Sequence, residues 1–201
     1  DTAFLKSLSI REIVCGYAEI LKHSLIMNKK LFNYLDKNAE NILKLKKPFL
    51  EKAIFQSCMI KKKIVEEDEN EKNIRQILNF GHTFAHAFEG ANDYSKKLNH
   101  GEAVLLGIIC ALNFAHQNHK IDKVDYKKII NHYKKFKLPV SLKKFFSKKN
   151  INKILSFMKK DKKNNNNKIN LVLLKKIGKV NYNCQYNEKV IYNFFVKELI
   201  N

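Results

Sequence analysis

The chain has 201 residues, 45% of them hydrophobic and 11% aromatic, enough for one sizeable domain or two small ones with a real core. Its net charge of +20 raises nucleic-acid binding as a role. The residue types argue against it: of 39 basic residues only Arg11 and Arg75 are arginine, and asparagine is abundant, with a run over 164–167. That is the drift of AT-rich coding DNA, whereas a phosphate or groove reader favours arginine forks and interleaved aromatics.

In chain order, "SIREIVCGYAEILKHSLIM" opens with Ser9 and, three residues on, Glu12, a capping-box signature that predicts a helix over 10–27. Apolar periodicity continues through "KLFNYLDKNAENILKL", a second helix. Pro48 suits the first turn of a third, through "FLEKAIFQSCMIKKKIV". The acidic stretch 66–71 reads as a loop. A fourth helix is expected over 74–90, then a polar loop, "ANDYSKKLN", and a fifth helix over 100–119. "KVDYKKIINHYKKF" is a sixth, and one or two short basic helices follow Pro139. "KINLVLLKKIGKVNYN" alternates and carries a Gly turn, which predicts a small hairpin. The fold class expected is mainly α, a multi-helix bundle-like domain with a small C-terminal β-hairpin.

Neither a GxGxxG fingerprint nor a P-loop occurs, so no dinucleotide-binding unit can be read in these residues. The four cysteines, Cys15, Cys58, Cys110 and Cys184, lie far apart without a CxxC pair and read as buried free thiols of a reducing compartment. No signal-peptide pattern is visible, and the longest apolar run, 103–115, is too short to span a bilayer. A soluble cytoplasmic protein is expected.

Arg75, Asn79, His82 and His86 are spaced by 4, 3 and 4, the helical period. They form one polar stripe among apolar neighbours such as Phe80, Phe84 and Phe88. A solvated face in this chain would carry lysine; the stripe has none, which favours a polar cavity. In the first helix, Glu19 and Lys22 share a face, as a surface ion pair or as a buried carboxylate in need of a partner such as a metal. "LNHGEAV" sets His100 at a helix start before a glycine. Two histidines and one carboxylate make a zinc set with a position open for substrate. Glu19, His82 and His100 are one such triad; His86, His23, His116, His119 and His132 are alternatives.

Four segments, "SIREIVCGYAEILKHSLI", "KKKIVEEDENEKNIRQILNFGHTFAHAFE", "LNHGEAVLLGI" and "MKKDKKNNNNKINLVLLKKIG", occur in this order. Together they resemble the C-terminal, metal-binding domain of the 3-dehydroquinate synthase family, over nearly the whole chain. The resemblance implies conversion of the seven-carbon sugar-acid phosphate DAHP into 3-dehydroquinate and phosphate in the shikimate pathway, with catalytic NAD and one Zn2+ or Co2+. It implies Glu19, His82 and His100 as metal ligands, and His86 and Glu71 as proton-transfer residues. Lys22, Lys61, Arg75, Asn79 and Lys162 fall on substrate-binding positions, with Lys163 the alternative to Lys162.

Family enzymes also carry an N-terminal α/β domain that binds NAD and form homodimers. That domain is not found in residues 1–201, which read as a single helical unit expected to lack synthase activity alone. Neither nucleic acid nor membrane is an expected partner. Other sugar-phosphate cyclases and metal-dependent polyol or alcohol dehydrogenases are the rivals among enzymes; a basic helical scaffold is the rival outside them.

Overall fold

A computed structural model describes residues 1–160 and 168–200. It is mainly helical with one two-stranded sheet. The helices are α1 (Ile10–Met27), α2 (Lys29–Leu43), α3 (Phe49–Glu67), α4 (His82–Ala91), α5 (His100–Gln117), α6 (Lys123–Lys135) and α7 (Ile151–Lys160). Strands β1 (Lys168–Lys176) and β2 (Lys179–Asn187) follow, then α8 (Glu188–Ile200).

The predicted capping box is formed: Ser9 accepts from the Glu12 amide, and the Glu12 carboxylate accepts from the Ser9 amide at 2.8 Å. A second box, Asn99 with Glu102, starts α5. Glu102 also binds the Arg11 guanidinium through both oxygens, and the same guanidinium donates to the carbonyls of Lys96 and Lys97. One of the two arginines thus ties the beginning of α5 to the beginning of α1.

Helix α5 is the central element, buried almost without interruption from Ala103 to Leu112. Two close approaches set its neighbours. A Cβ on Gly101 would lie 2.3 Å from Cys15 Cα on α1, and one on Gly107 would lie 2.2 Å from the Gly81 carbonyl oxygen ahead of α4. The hairpin lays β1 on the core, with Ile169, Leu171, Leu173 and Leu174 buried, and leaves β2 largely exposed. Its register pairs Ile169 with Tyr186 and Leu171 with Cys184. The turn at Gly178 (φ +87°) is pinned by amide bonds from Gly178 to the Leu25 carbonyl and from Ile177 to Asp125.

Several expectations need correction. The segment 74–90 is not one helix: Ile74–Asn79 is a 3-10 turn, the chain breaks at Phe80 and Gly81, and α4 begins at His82. Gly81 adopts φ +81° so that its backbone can pack on Gly107 and Ile108, a conformation an α-helix cannot continue through. The C-terminal helix α8 was not anticipated; its Phe194 and Phe195 pack on Phe84, and Phe195 also meets Phe88. Of the four cysteines, Cys110 is buried, Cys15 and Cys184 are half-buried and Cys58 is exposed. Cys58 faces out because its helix, α3, buries the Leu50–Ala53–Ser57–Ile60–Ile64 stripe instead. No helix among the described residues is long and apolar enough to cross a membrane.

Candidate metal centre and substrate cleft

The two close approaches to α5 converge three polar side chains. Glu19 comes from the middle of α1, His82 from the first residue of α4 and His100 from the first residue of α5. One ligand atom from each lies within 4.8 Å of the other two, and no other group of three His, Cys, Asp or Glu side chains among the described residues does so. Four-coordinate zinc with ligands at about 2.0–2.2 Å has ligand–ligand edges of roughly 3.4 Å, so a contraction of the order of 1 Å closes the set around an ion.

The donor chemistry fits such an ion. Glu19 Oε1 is buried without a hydrogen-bond partner and sits 3.6 Å from His82 Nε2. His82 turns its Nδ1 to the Phe80 carbonyl at 3.4 Å, and His100 turns its Nδ1 to the Glu89 carboxylate at 3.2 Å. Each imidazole therefore has an acceptor behind it and Nε2 left for a cation, the arrangement that fixes the tautomer of metal-ligating histidines.

Protonation states agree. Burial, with the Lys22 ammonium nearby, pushes His82 down to about 3, so its ring is neutral, the form that can accept a cation. Burial and Lys22 likewise push His23 down to about 4. The hydrogen bond that Glu89 accepts from His100 outweighs burial and raises the His100 pKa. Burial pushes the Glu19 carboxyl up, but Lys22, bonded to Oε2 at 2.7 Å, and His82 more than reverse this and leave it lowered. Lys22 itself is only 3% exposed, and burial lowers its pKa against the pull of Glu19.

A cleft of about 340 Å³ opens over these residues. Of the sequence-predicted residues, Glu19, Lys22, Lys61 and Glu71 line it. Arg75, Asn79, His82 and His100 complete the wall. The polar stripe therefore splits: three of its members line the cleft across the helix break, while His86 is exposed one turn along α4, its ring 5.4 Å from that of His82 and 6.3 Å from that of His100. Asn79 donates to the Glu71 carboxylate at 2.6 Å. The approach loop is held by Asp68, which accepts from the amides of Lys72, Asn73 and Arg75. Lys162 and Lys163 lie outside the described residues.

Three of the alternative histidines go elsewhere. His116 stacks on Tyr126, His119 lies just beyond α5 in the left-handed region, and His132 is fully buried between Tyr17 and Asp36. His23, weighed from sequence only as an alternative ligand, does line the cleft, and Glu89 was not read as a site residue from sequence. Their signal is tertiary: each is an ordinary helical residue until its neighbour across the fold is known.

Against known proteins, the family model described as 3-dehydroquinate synthase C-terminal matches residues 16–164. A 3-dehydroquinate synthase of Pelagibacter ubique (strain HTCC1062) is 58% identical over 199 residues, 99% of this chain and 54% of the relative. One from Endomicrobium trichonymphae is 41% identical, covering 89% and 48%. The chain thus spans about half the length of the curated relatives it matches. Among solved structures, ValA, a 2-epi-5-epi-valiolone synthase from Streptomyces hygroscopicus subsp. jinggangensis 5008 with NAD+ and Zn2+ bound, is similar at TM-score 0.83 and 21% identity, covering 98% of this chain and 54% of that one. A 2-deoxy-scyllo-inosose synthase complexed with carbaglucose-6-phosphate, NAD+ and Co2+ is similar at TM-score 0.76 and 25% identity, covering 99% and 56%.

Proposed function

The chain belongs to the 3-dehydroquinate synthase family, and on that premise we propose that it forms the metal- and substrate-binding half of an enzyme that converts DAHP to 3-dehydroquinate and phosphate in the shikimate pathway. The observation that carries the reading is the Glu19–His82–His100 donor set at the floor of a cleft walled by Lys22, Lys61 and Arg75.

In this reading Glu19 Oε1 and the Nε2 atoms of His82 and His100 hold a zinc or cobalt ion. When bound, the ion acts as a Lewis acid on substrate hydroxyls. NAD, held mainly by another domain of the same enzyme, supplies transient oxidation of the substrate. The chain's own residues orient the substrate and move protons. Lys22, Lys61 and Arg75 attract a substrate with two anionic groups, a carboxylate and a phosphate, and the Arg75 fork suits the carboxylate. Lys162 is proposed as a further anion contact. Asn79, whose amide nitrogen donates to Glu71 and to the Gln76 carbonyl, offers its Oδ1 to a substrate hydroxyl. His86, exposed beside the donor set, takes or returns a proton at the reacting carbon or leaving oxygen, work suited to an imidazole; Glu71 is a second carrier.

Another sugar-phosphate cyclase is the rival, supported by fold likeness to two such enzymes at 21% and 25% identity. The 58% and 41% identities to 3-dehydroquinate synthases weigh more. Metal analysis and calorimetry test the reading. The purified chain is expected to hold about one zinc, lost in His82→Ala and His100→Ala and kept in His86→Ala. The zinc-loaded chain should bind DAHP, with much weaker binding in Arg75→Ala. A chain that takes up no zinc, or that prefers a sugar phosphate lacking a carboxylate, overturns it.

A further inference from the structure

His23 sits on α1 one turn beyond Glu19, 4% exposed, with its ring against α3. Its Nδ1 lies 2.7 Å from Ser57 Oγ, and Ser57 is itself buried. Its Nε2 is buried and has no hydrogen-bond partner among the described residues. The nearest acidic atom is Glu19 Oε2, 3.9 Å away.

The tautomer follows from counting protons. If Nδ1 carried the hydrogen and donated to Ser57, the Ser57 hydroxyl proton would need another acceptor, and no second hydrogen bond at Ser57 Oγ is present among the described residues. Nε2 would then be a bare lone pair facing a carboxylate, acceptor against acceptor. If instead the Ser57 hydroxyl donates to Nδ1, Nε2 carries the hydrogen and faces an anionic acceptor. That arrangement satisfies both groups and leaves one hydrogen bond unmade, at a separation about 1 Å too long. Glu19 Oε2 already accepts from Lys22 at 2.7 Å, and a carboxylate oxygen takes two donors. The donor set must draw in by a similar amount to close on an ion.

We propose that His23, fixed as its Nε2–H tautomer by Ser57, is a positioning residue that donates to Glu19 Oε2 and, together with Lys22, holds the carboxylate so that Oε1 faces the metal. The role rests on the reading of Glu19, His82 and His100 as metal ligands. A neutral donor suits the place: it restrains the carboxylate without adding positive charge beside Lys22 and the ion.

Titration of the metal-free 201-residue chain with Co2+, followed by its visible absorption, tests this. His23→Leu fills the space but cannot donate, and should weaken Co2+ binding by roughly 10–100-fold and shift the ligand-field bands. Ser57→Ala leaves the ring in place and frees its tautomer; it should shift the same bands with a smaller loss of affinity. In His23→Gln the amide nitrogen reaches where Nε2 lies, and most of the affinity should return. Wild-type affinity and an unchanged spectrum in His23→Leu overturn the inference while leaving the metal site standing; an unchanged Ser57→Ala spectrum does the same should His23→Leu not fold. Failure of the unaltered chain to bind Co2+ overturns both.

Discussion

A methyl group at Gly107 would meet the Gly81 carbonyl oxygen at 2.2 Å and the Ala85 amide at 3.1 Å, both backbone atoms with no flexible end to yield. Gly81 is constrained twice over, by its φ of +81° and by Ile108 at 2.8 Å. These two residues bring α4 close enough to α5 for His82 and His100 to share a cation. Gly16 is different: nothing lies within 4 Å of its virtual Cβ, and it occupies an α1 interior position. Gly107→Ala is therefore expected to cost at least the upper part of the roughly 1–3 kcal/mol typical of overpacking. Gly16→Ala should be neutral or stabilise by up to about 1 kcal/mol, the helix-propensity difference. Urea unfolding of the two variants checks the contrast, and equal midpoints would show that the packing at Gly107 yields more readily than its backbone contacts imply.

At the scale of elements, most helices were legible because their signals are local. Ser9 and Glu12 cap α1 as their spacing announces, and the apolar stripes of α2, α3 and α6 repeat at the helical period. The break at Gly81 was not legible, because the 4, 3, 4 spacing of Arg75, Asn79, His82 and His86 survives a 3-10 turn followed by a fresh α-helix. Helix α8 was hidden for another reason: it leaves β2 with no loop between, and apolar side chains surround much of its circumference. From spacing alone the candidate site was legible only as a choice among histidines; the family resemblance singled out Glu19, His82 and His100, the three that the fold brings together. Spacing identified His82 and His86 as neighbours, but which distant carboxylate and imidazole met them depended on α1 and α5 crossing near α4. Glu89 and Ser57 owe their places wholly to such crossings, whereas His23 lies one turn from Glu19 on α1 and owes only its Ser57 partner to one. Helix α8 also matters energetically: Phe195 is fully buried, its ring 5.9 Å from Phe84 and 6.1 Å from Phe88, both on α4. Phe195→Ala should cost about 3–5 kcal/mol in chemical denaturation. A loss below 1 kcal/mol would mean that α8 is not part of the core that supports α4.

Across the whole molecule, charge and buried histidines combine to set acid stability. His132 is fully buried, its Nε2 2.8 Å from the Tyr17 hydroxyl and its Nδ1 2.9 Å from Asp36; burial outweighs the Asp36 carboxylate and lowers its pKa. His23 is pushed down to about 4 by burial and Lys22. For both, the unfolded chain binds a proton near pH 6.5 that the folded chain refuses. Their contribution to stability is complete above that pH and is lost as pH falls, by roughly 1.4 kcal/mol per pH unit for each histidine until its folded pKa is reached. His100, raised by Glu89, works in the opposite sense but is more than half exposed and so contributes less. The metal-free chain, kept in chelator, should therefore unfold at clearly lower urea concentration near pH 5 than near pH 7. A net charge of +20 could produce the same trend through general self-repulsion as more sites protonate. Salt separates the two causes: at about 0.5 M the Debye length is only a few ångströms, which suppresses long-range repulsion and leaves burial of a single ring untouched. The pH dependence should persist in high salt and become shallower in His132→Gln, whose side chain has no proton to gain. A dependence that vanishes in salt would assign the acid sensitivity to the lysine-rich surface instead of to the buried imidazoles.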